Sequence, residues 1–157
     1  DIRLVLVGNS PPQEIYSLTS NSQIEVTGRV PSLIPFYKNA DVVICPLRIG
    51  GGVKVKILEA LGLGKAIVST SIGAQGLDLS MHKAVAVADE VTDFARKVIR
   101  LIKHPEERRF QEQEALSYFV TLPSWDHVTN TYSRLYEELR NCNISSSIRN
   151  DNKEYRE

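Results

Sequence analysis

A chain of 157 residues, 42% of them apolar, has the size and composition of one soluble globular domain, or of a piece of a larger protein. Lysines and arginines total 19, as do the acidic residues, so no bulk positive field recommends nucleic acid or an anionic membrane as a partner. The longest apolar runs, residues 4–7 and 84–88, fall far short of the roughly 20 residues that a membrane-spanning helix needs.

Residues 2–7 open the chain as a strand rich in branched apolar side chains and bounded by Gly8 and Asn9. Pro12 suits the first turn of a helix after the Pro11-Pro12 break. A second strand is expected over 24–27. Ser32 is then placed to cap a short helix holding Phe36 and Tyr37, with Pro35 tolerated near its start. Strands follow over 41–45, 66–69 and 84–87, and a helix over 53–63 should end at Gly64. The runs 4–7, 42–45 and 84–87 are continuously apolar rather than alternating, the pattern of strands covered on both faces by helices.

From about residue 90 only helical spacing remains. Val91, Phe94, Ala95, Val98, Ile99 and Ile102 share one face, and a charged helix is expected over 106–119. Ser124 should cap a third helix, with Trp125, Val128, Tyr132, Leu135, Tyr136 and Leu139 along one side. The expected fold is α/β: a parallel sheet with helices on both faces, closed by C-terminal helices. Residues 142–157 are almost entirely polar, so the chain is expected to divide into a domain over 1–141 and a disordered tail. Cys45 reads as a small buried hydrophobe far from Cys142, no disulfide is expected, and the cytoplasm is the default location.

The chemistry concentrates where the chain leaves the strand at 41–45, passes Gly50, Gly51 and Gly52, and enters a helix. Open parallel sheets bind ligands at the carboxyl ends of their strands. Glycines let a backbone approach a ligand closely, and the free N–H groups of a helix start favour an anion. Lys54 and Lys56 in a first helical turn oppose the helix dipole at about 0.3–1 kcal/mol each, a penalty that a bound diphosphate would reverse. As solvated lysines, with Lys56 pairing Glu59 at i+3, they would need no ligand, and the two readings stand level. Glu59 points well away from the apolar face formed by Val53, Ile57, Ala60 and Leu61, toward water or the ligand edge. A carboxylate there could accept two hydroxyl hydrogen bonds, as from a ribose, at about 1.5–3 kcal/mol for a bond to a charged group. A solvent-exposed helix Glu is the commoner fate of any single glutamate.

Four segments in register carry a resemblance: Asp41-Val-Val-Ile-Cys-Pro, Gly50-Gly-Gly-Val-Lys-Val-Lys-Ile-Leu-Glu-Ala, Gly64-Lys-Ala-Ile-Val-Ser-Thr and Ile72-Gly-Ala-Gln-Gly-Leu. In order and spacing they resemble the donor-binding motif of family-4, or group 1, retaining glycosyltransferases, whose GT-B fold has two Rossmann-like domains, and especially a subgroup with a glycine-rich, lysine-containing loop. The similarity extends over residues 2–139. It implies the C-terminal, donor-binding domain of an enzyme that moves a sugar from a nucleotide-diphosphate sugar to an acceptor, in cell-surface polysaccharide or glycan synthesis. No metal and no cofactor beyond the donor substrate are implied.

Carried over residue by residue, Glu59 would hold the ribose hydroxyls. The glycine loop and helix entry, Gly50, Gly51, Gly52, Val53, Lys54 and Val55, would approach the diphosphate or donor sugar with their backbone. Arg29 and Val30 would meet the base, mostly through main chain. No catalytic residue is identified. Many members carry a second Glu eight residues before the ribose Glu; here that position is Gly51, so no sugar is implied. By the same resemblance residues 2–7 are a second strand, and a first strand, at the sheet centre, and an acceptor-binding N-terminal domain are expected outside these residues. Such a fragment would bind a nucleotide weakly without turnover, and the full enzyme has room for peripheral membrane association. The alternative is a non-catalytic nucleotide-sugar-binding or pseudo-transferase module. A dinucleotide-dependent oxidoreductase fits the sheet but not the glycine pattern.

Other features read as structural. Glu59 stands where the first glycine of a phosphate loop ending at Gly64-Lys65 would belong, and Ala66 replaces its Ser or Thr. His82, His104 and His127 lack ligand spacing and read as surface residues. Arg108 and Arg109 read as a solvated helix face. The Trp125, Tyr132 and Tyr136 stripe reads as core packing or as a surface that docks a further domain.

Overall fold

In the computed structural model the described residues are 2–78 and 83–151, with backbone alone over 142–151. The chain divides into two compact units, residues 1–119 and 120–157. The first unit contains β1 (Leu4–Val7), α1 (Gln13–Tyr16) followed by a 3-10 turn, β2 (Ile24–Gly28), α2 (Ile34–Asn39), β3 (Val42–Cys45) and α3 (Val55–Gly62). It continues through β4 (Ala66–Ser69), β5 (Ala86–Val87), α4 (Val91–Lys103) and α5 (Pro105–Phe119). The second unit carries α6 (Trp125–Asp151).

All strand pairs are parallel; β1 and β2 are joined through α1 and its 3-10 turn, and β3 and β4 through α3. Leu4 lies opposite Ile24 and Leu6 opposite Val26, with a register shift before Val7. β3, β4 and β5 form a separate sheet in that order, with Val42 opposite Ala66 and Val68 opposite Ala86. The α/β architecture matches the expectation, but the sheet is in two pieces: among the described residues no strand pairs with the second edge of β1 or of β3. β1, paired on one edge only, leaves Val5 38% exposed despite its continuously apolar sequence, whereas Ala66, Ile67 and Val68 of the doubly paired β4 are 0% exposed.

Ala66 and Val68 point to one face of β4 and pack with Leu101 of α4, with Phe94 and Val98 beside them. The seam of α4 is therefore Phe94, Val98 and Leu101, at i, i+4 and i+7. Val91 and Ile99, expected on the same face, lie at its margins and are exposed. Ile67 points to the opposite face and is equally buried, so β4 is covered on both sides. α5 turns Gln111, Ala115 and Tyr118 inward, and the Gln111 Nε2 amide donates to the buried Ile67 carbonyl at 2.9 Å. Arg108 corrects the reading of a solvated pair. Its side chain is 20% exposed, lies 3.3 Å from Asp41 Oδ1, and donates to the Leu101 carbonyl at 3.3 Å, tying α5 to the start of β3 and the end of α4.

The short helices follow their local signals with small shifts. Pro12 is the N-cap of α1. Ser32 Oγ accepts from the Ile34 amide at 3.3 Å although Leu33 holds the N-cap position of α2. Lys65 Nζ donates to the carbonyls of Lys38 at 2.9 Å and Ala40 at 3.1 Å, closing the C-terminal end of α2 with a cation as the helix dipole favours.

In the second unit Ser124 caps α6 as expected, its Oγ accepting from the His127 amide at 3.2 Å. The helix continues through Asp151, and neither Gly nor Pro interrupts residues 126–151. The rest of the expected tail, residues 152–157, lies outside the described residues, as does His82. Trp125 is 85% and Tyr136 68% exposed. Among the described residues no helix is long and apolar enough to cross a membrane.

Candidate functional site

β3 ends at Cys45, 1% exposed, and delivers the chain into the glycine loop. Gly50 and Gly52 take φ of 129° and 70°, backbone that a residue with a Cβ rarely adopts. α3 begins at Val55 rather than at the expected Val53, and Lys54 is its N-cap with extended φ of −92° and ψ of 108°. The Lys54 side chain turns back on the loop, its Nζ donating to the carbonyls of Gly51 at 3.0 Å and Gly52 at 2.6 Å. Lys54 therefore does not oppose the dipole from within a first turn; its charge braces the loop. Val53 is also outside the helix and packs against the segment after β4, where a Cβ added to Gly76 would meet Val53 Cγ2 at 2.6 Å.

α3 presents Ile57, Ala60 and Leu61 to the core and leaves Glu59 exposed, as the helical period dictates. It ends in a left-handed turn at Gly64, φ 61°, with Gly64 N donating to Leu61 O and Lys65 N to Ala60 O, both at 3.0 Å. Glu59 takes Tyr37, not Lys56, as its partner: the phenol donates toward Glu59 Oε2 at 3.0 Å and lies 3.2 Å from the Lys56 carbonyl. Burial, then the hydrogen bond to Glu59 and its charge, push the Tyr37 phenol far above its ordinary range, so it stays a protonated donor. Leu33, Ile34, Tyr37, Glu59 and Phe119 border an apolar groove of about 460 Å³ between α2, α3 and the end of α5.

A second cavity, about 250 Å³, opens where β3, β4 and β5 end, between Arg48, Thr70, Asp89 and Phe94. The turn after β4 is tightly tied here. Gly73 N donates to Thr70 Oγ1 at 3.0 Å, and the Thr70 hydroxyl donates to the Leu47 carbonyl. Asp89 Oδ1 accepts from the Ser71 amide at 2.8 Å and the Ser71 hydroxyl at 2.9 Å. Those bonds, amide first, hold the Asp89 carboxyl below its ordinary 3.8. A carboxyl lowered by folding contributes above its unfolded value and loses that contribution as pH falls through the folded one. In an acid titration the Ser71 amide resonance should therefore move below pH 3.8, and Asp89→Asn should abolish the step.

The remaining expected site residues are less engaged. Gly51 is exposed and carries no side chain to meet a sugar. Val55 opens α3 and is 66% exposed. Arg29 is exposed and Val30 half-buried, directly after Gly28 with φ 69°, and among the described residues no hydrogen bond joins them to the glycine loop. Local pattern could not show the Tyr37 contact, because its partner is 22 residues away on another helix. His104, Glu106 and Glu107 come together on the surface, but Glu107 is held by Arg100 through bonds of 2.5 and 2.8 Å.

Comparisons with known proteins agree on what this arrangement is. Residues 1–104 match the family described as glycosyl transferases group 1. An uncharacterized glycosyltransferase of Methanocaldococcus jannaschii is 26% identical over 125 residues, covering 77% of this chain and 32% of that protein. Among solved structures, sucrose-phosphate synthase from Thermosynechococcus elongatus superposes with a TM-score of 0.74 at 18% identity, covering 89% of this chain and 39% of that one. A glycosyltransferase from Rickettsia africae gives 0.71 at 16% identity, covering 88% and 40%. The C-terminal domain of a group 1 family glycosyl transferase from Francisella tularensis gives 0.56 at 22% identity, covering 69% and 58%. The chain thus spans less than two thirds of each relative, and it shares with them the Rossmann-like fold of GT-B glycosyltransferases. On the family match and this fold together, the chain belongs to the group 1 glycosyl transferases.

Proposed function

We propose that this chain is the donor-binding half of a retaining glycosyltransferase that takes its sugar from a nucleotide diphosphate. The observation that carries the reading is the exposed Glu59 carboxylate, oriented on α3 one helical turn beyond the braced glycine loop. A ribose diol would bond Glu59. The diphosphate would lie along the backbone of Gly50, Gly51, Gly52, Val53, Lys54 and Val55 at the start of α3, where free N–H groups favour an anion. The base would sit beside Arg29 and Val30. Holding donor and acceptor together and stabilising the charge of the departing diphosphate would supply most of the rate, with no metal in the reading.

The acceptor would be held by a further N-terminal domain, and the exposed Trp125, Tyr132 and Tyr136 of α6 form a surface suited to meeting it. The setting we propose is cytoplasmic glycan or polysaccharide synthesis, with any membrane contact peripheral and made by the full enzyme. Titrating the chain with UDP, GDP and ADP tests the binding step by amide chemical shifts. The expected result is movement concentrated over residues 50–59 with at least one nucleotide; no movement there with any of the three would overturn it. One observation favours a second reading, a non-catalytic nucleotide-sugar module: Gly51 stands where a carboxylate would meet the donor sugar. Sugar transfer by the complete parent protein excludes that module.

A further inference from the structure

We infer that the Tyr37 hydroxyl is a positioning group for Glu59, which fixes the carboxylate to receive a vicinal diol and makes the site prefer ribose to 2′-deoxyribose. The inference rests on the reading of Glu59 as the ribose group and adds a second residue to it.

An exposed glutamate on a helix ordinarily samples several rotamers, and a ligand that needs one of them must order the side chain first. Glu59 is not left in that state. Tyr37 rises from α2, with its hydroxyl 3.0 Å from Glu59 Oε2 and 3.2 Å from the Lys56 carbonyl one turn earlier on α3. The carbonyl fixes where the phenol oxygen sits along α3, and the phenol in turn fixes one oxygen of the carboxylate. Both partners are acceptors, so the phenol proton is directed toward them and the phenol stays a donor. An ionised carboxylate has about four lone-pair sites. Tyr37 takes one, leaving Oε1 and the outer side of Oε2 for two adjacent hydroxyl donors. Among the described residues no cation pairs with the carboxylate: Lys54 is turned onto the glycine loop, and Lys56 meets Tyr37 through its carbonyl. The site is therefore an acceptor-only surface, which accepts a diol and repels a phosphate.

The role differs from simple α2–α3 packing in what it does to selectivity. The test compares the chain with its Tyr37→Phe, Glu59→Ala and doubly substituted forms, titrated with UDP, GDP and ADP and with the 2′-deoxy counterpart of whichever binds. Tyr37→Phe should weaken binding of the ribonucleotide about threefold to tenfold, the size of one ordinary hydrogen bond, and narrow the ribo/deoxy ratio. In the Glu59→Ala background the same change should do nothing further. A packing role alone would lower the melting temperature and weaken both nucleotides equally, leaving the ratio unchanged; that result overturns the inference, as does a Tyr37→Phe effect that persists without Glu59. If selectivity is lost in Glu59→Ala but kept in Tyr37→Phe, Tyr37 fails alone and the reading of Glu59 survives. If the unsubstituted chain binds none of the three nucleotides, both fall.

Discussion

Replacing Glu59 with alanine is expected to weaken nucleoside diphosphate binding by about tenfold to a hundredfold, the range of one bond from a charged acceptor to a ligand hydroxyl. The change should leave folding nearly untouched. Glu59 is exposed, the buried face of α3 is Ile57, Ala60 and Leu61, and alanine is the better helix former. Isothermal titration of the two proteins at matched salt checks the affinity, and a thermal melt checks the fold. Glu59→Gln sharpens the assignment: the amide keeps the length and one acceptor oxygen but loses the charge, so its affinity should fall between the two. Equal affinity in all three proteins would remove Glu59 from the site. A large fall in melting temperature for Glu59→Ala would instead make its bond to Tyr37 structural.

The second large effect is expected at Gly73, and it acts on stability. A Cβ there would lie 2.2 Å from Ser69 Oγ, 2.8 Å from the Cys45 carbonyl and 3.0 Å from Cys45 Sγ. None of the three has an easy retreat. Ser69 is 0% exposed and its hydroxyl already bonds the Thr70 carbonyl at 3.0 Å, while the Cys45 carbonyl accepts from the Thr70 amide at 3.2 Å. Gly73→Ala should therefore destabilise the chain by roughly 1–3 kcal/mol, the cost of overpacking a closed core. It should appear in urea as a lower midpoint with an unchanged slope. Gly8→Ala is the matched control, since a Cβ at Gly8 meets nothing within 4 Å. If the two variants unfold together, the turn after β4 is looser than its hydrogen bonds indicate. Nucleotide affinity should fall with Gly73→Ala as well, because Gly76 at the end of that turn supports Val53 in the glycine loop.

The α/β class, the order of strands and helices, and the place of the glycine loop were legible in residue pattern. Each rests on a short-range rule: β-branched runs for β3 and β4, a 3.6-residue period for α3 and α4, a glycine that ends α3. Glu59 was legible as exposed for the same reason. Charged side chains were read less well. Lys54 was placed in a helical turn and instead braces the loop, and Arg108 was placed in solvent and instead joins three elements. Long flexible side chains choose among partners that local spacing does not reveal, and the choice depends on which carbonyls and carboxylates the fold leaves unpaired.

By itself, then, the amino-acid order determined the layered α/β class, the helix entry after three glycines, and a carboxylate on the unburied side of that helix. Periodicity and backbone preference act over a few residues, so they can be read along the chain. Tertiary structure alone decided what that carboxylate meets. Tyr37 lies 22 residues before Glu59 and reaches it only because α2 and α3 are brought side by side. Tertiary structure likewise decided which strand edges meet, with β4 between β3 and β5, since pairing between strand edges is a relation in space that no single run of residues encodes.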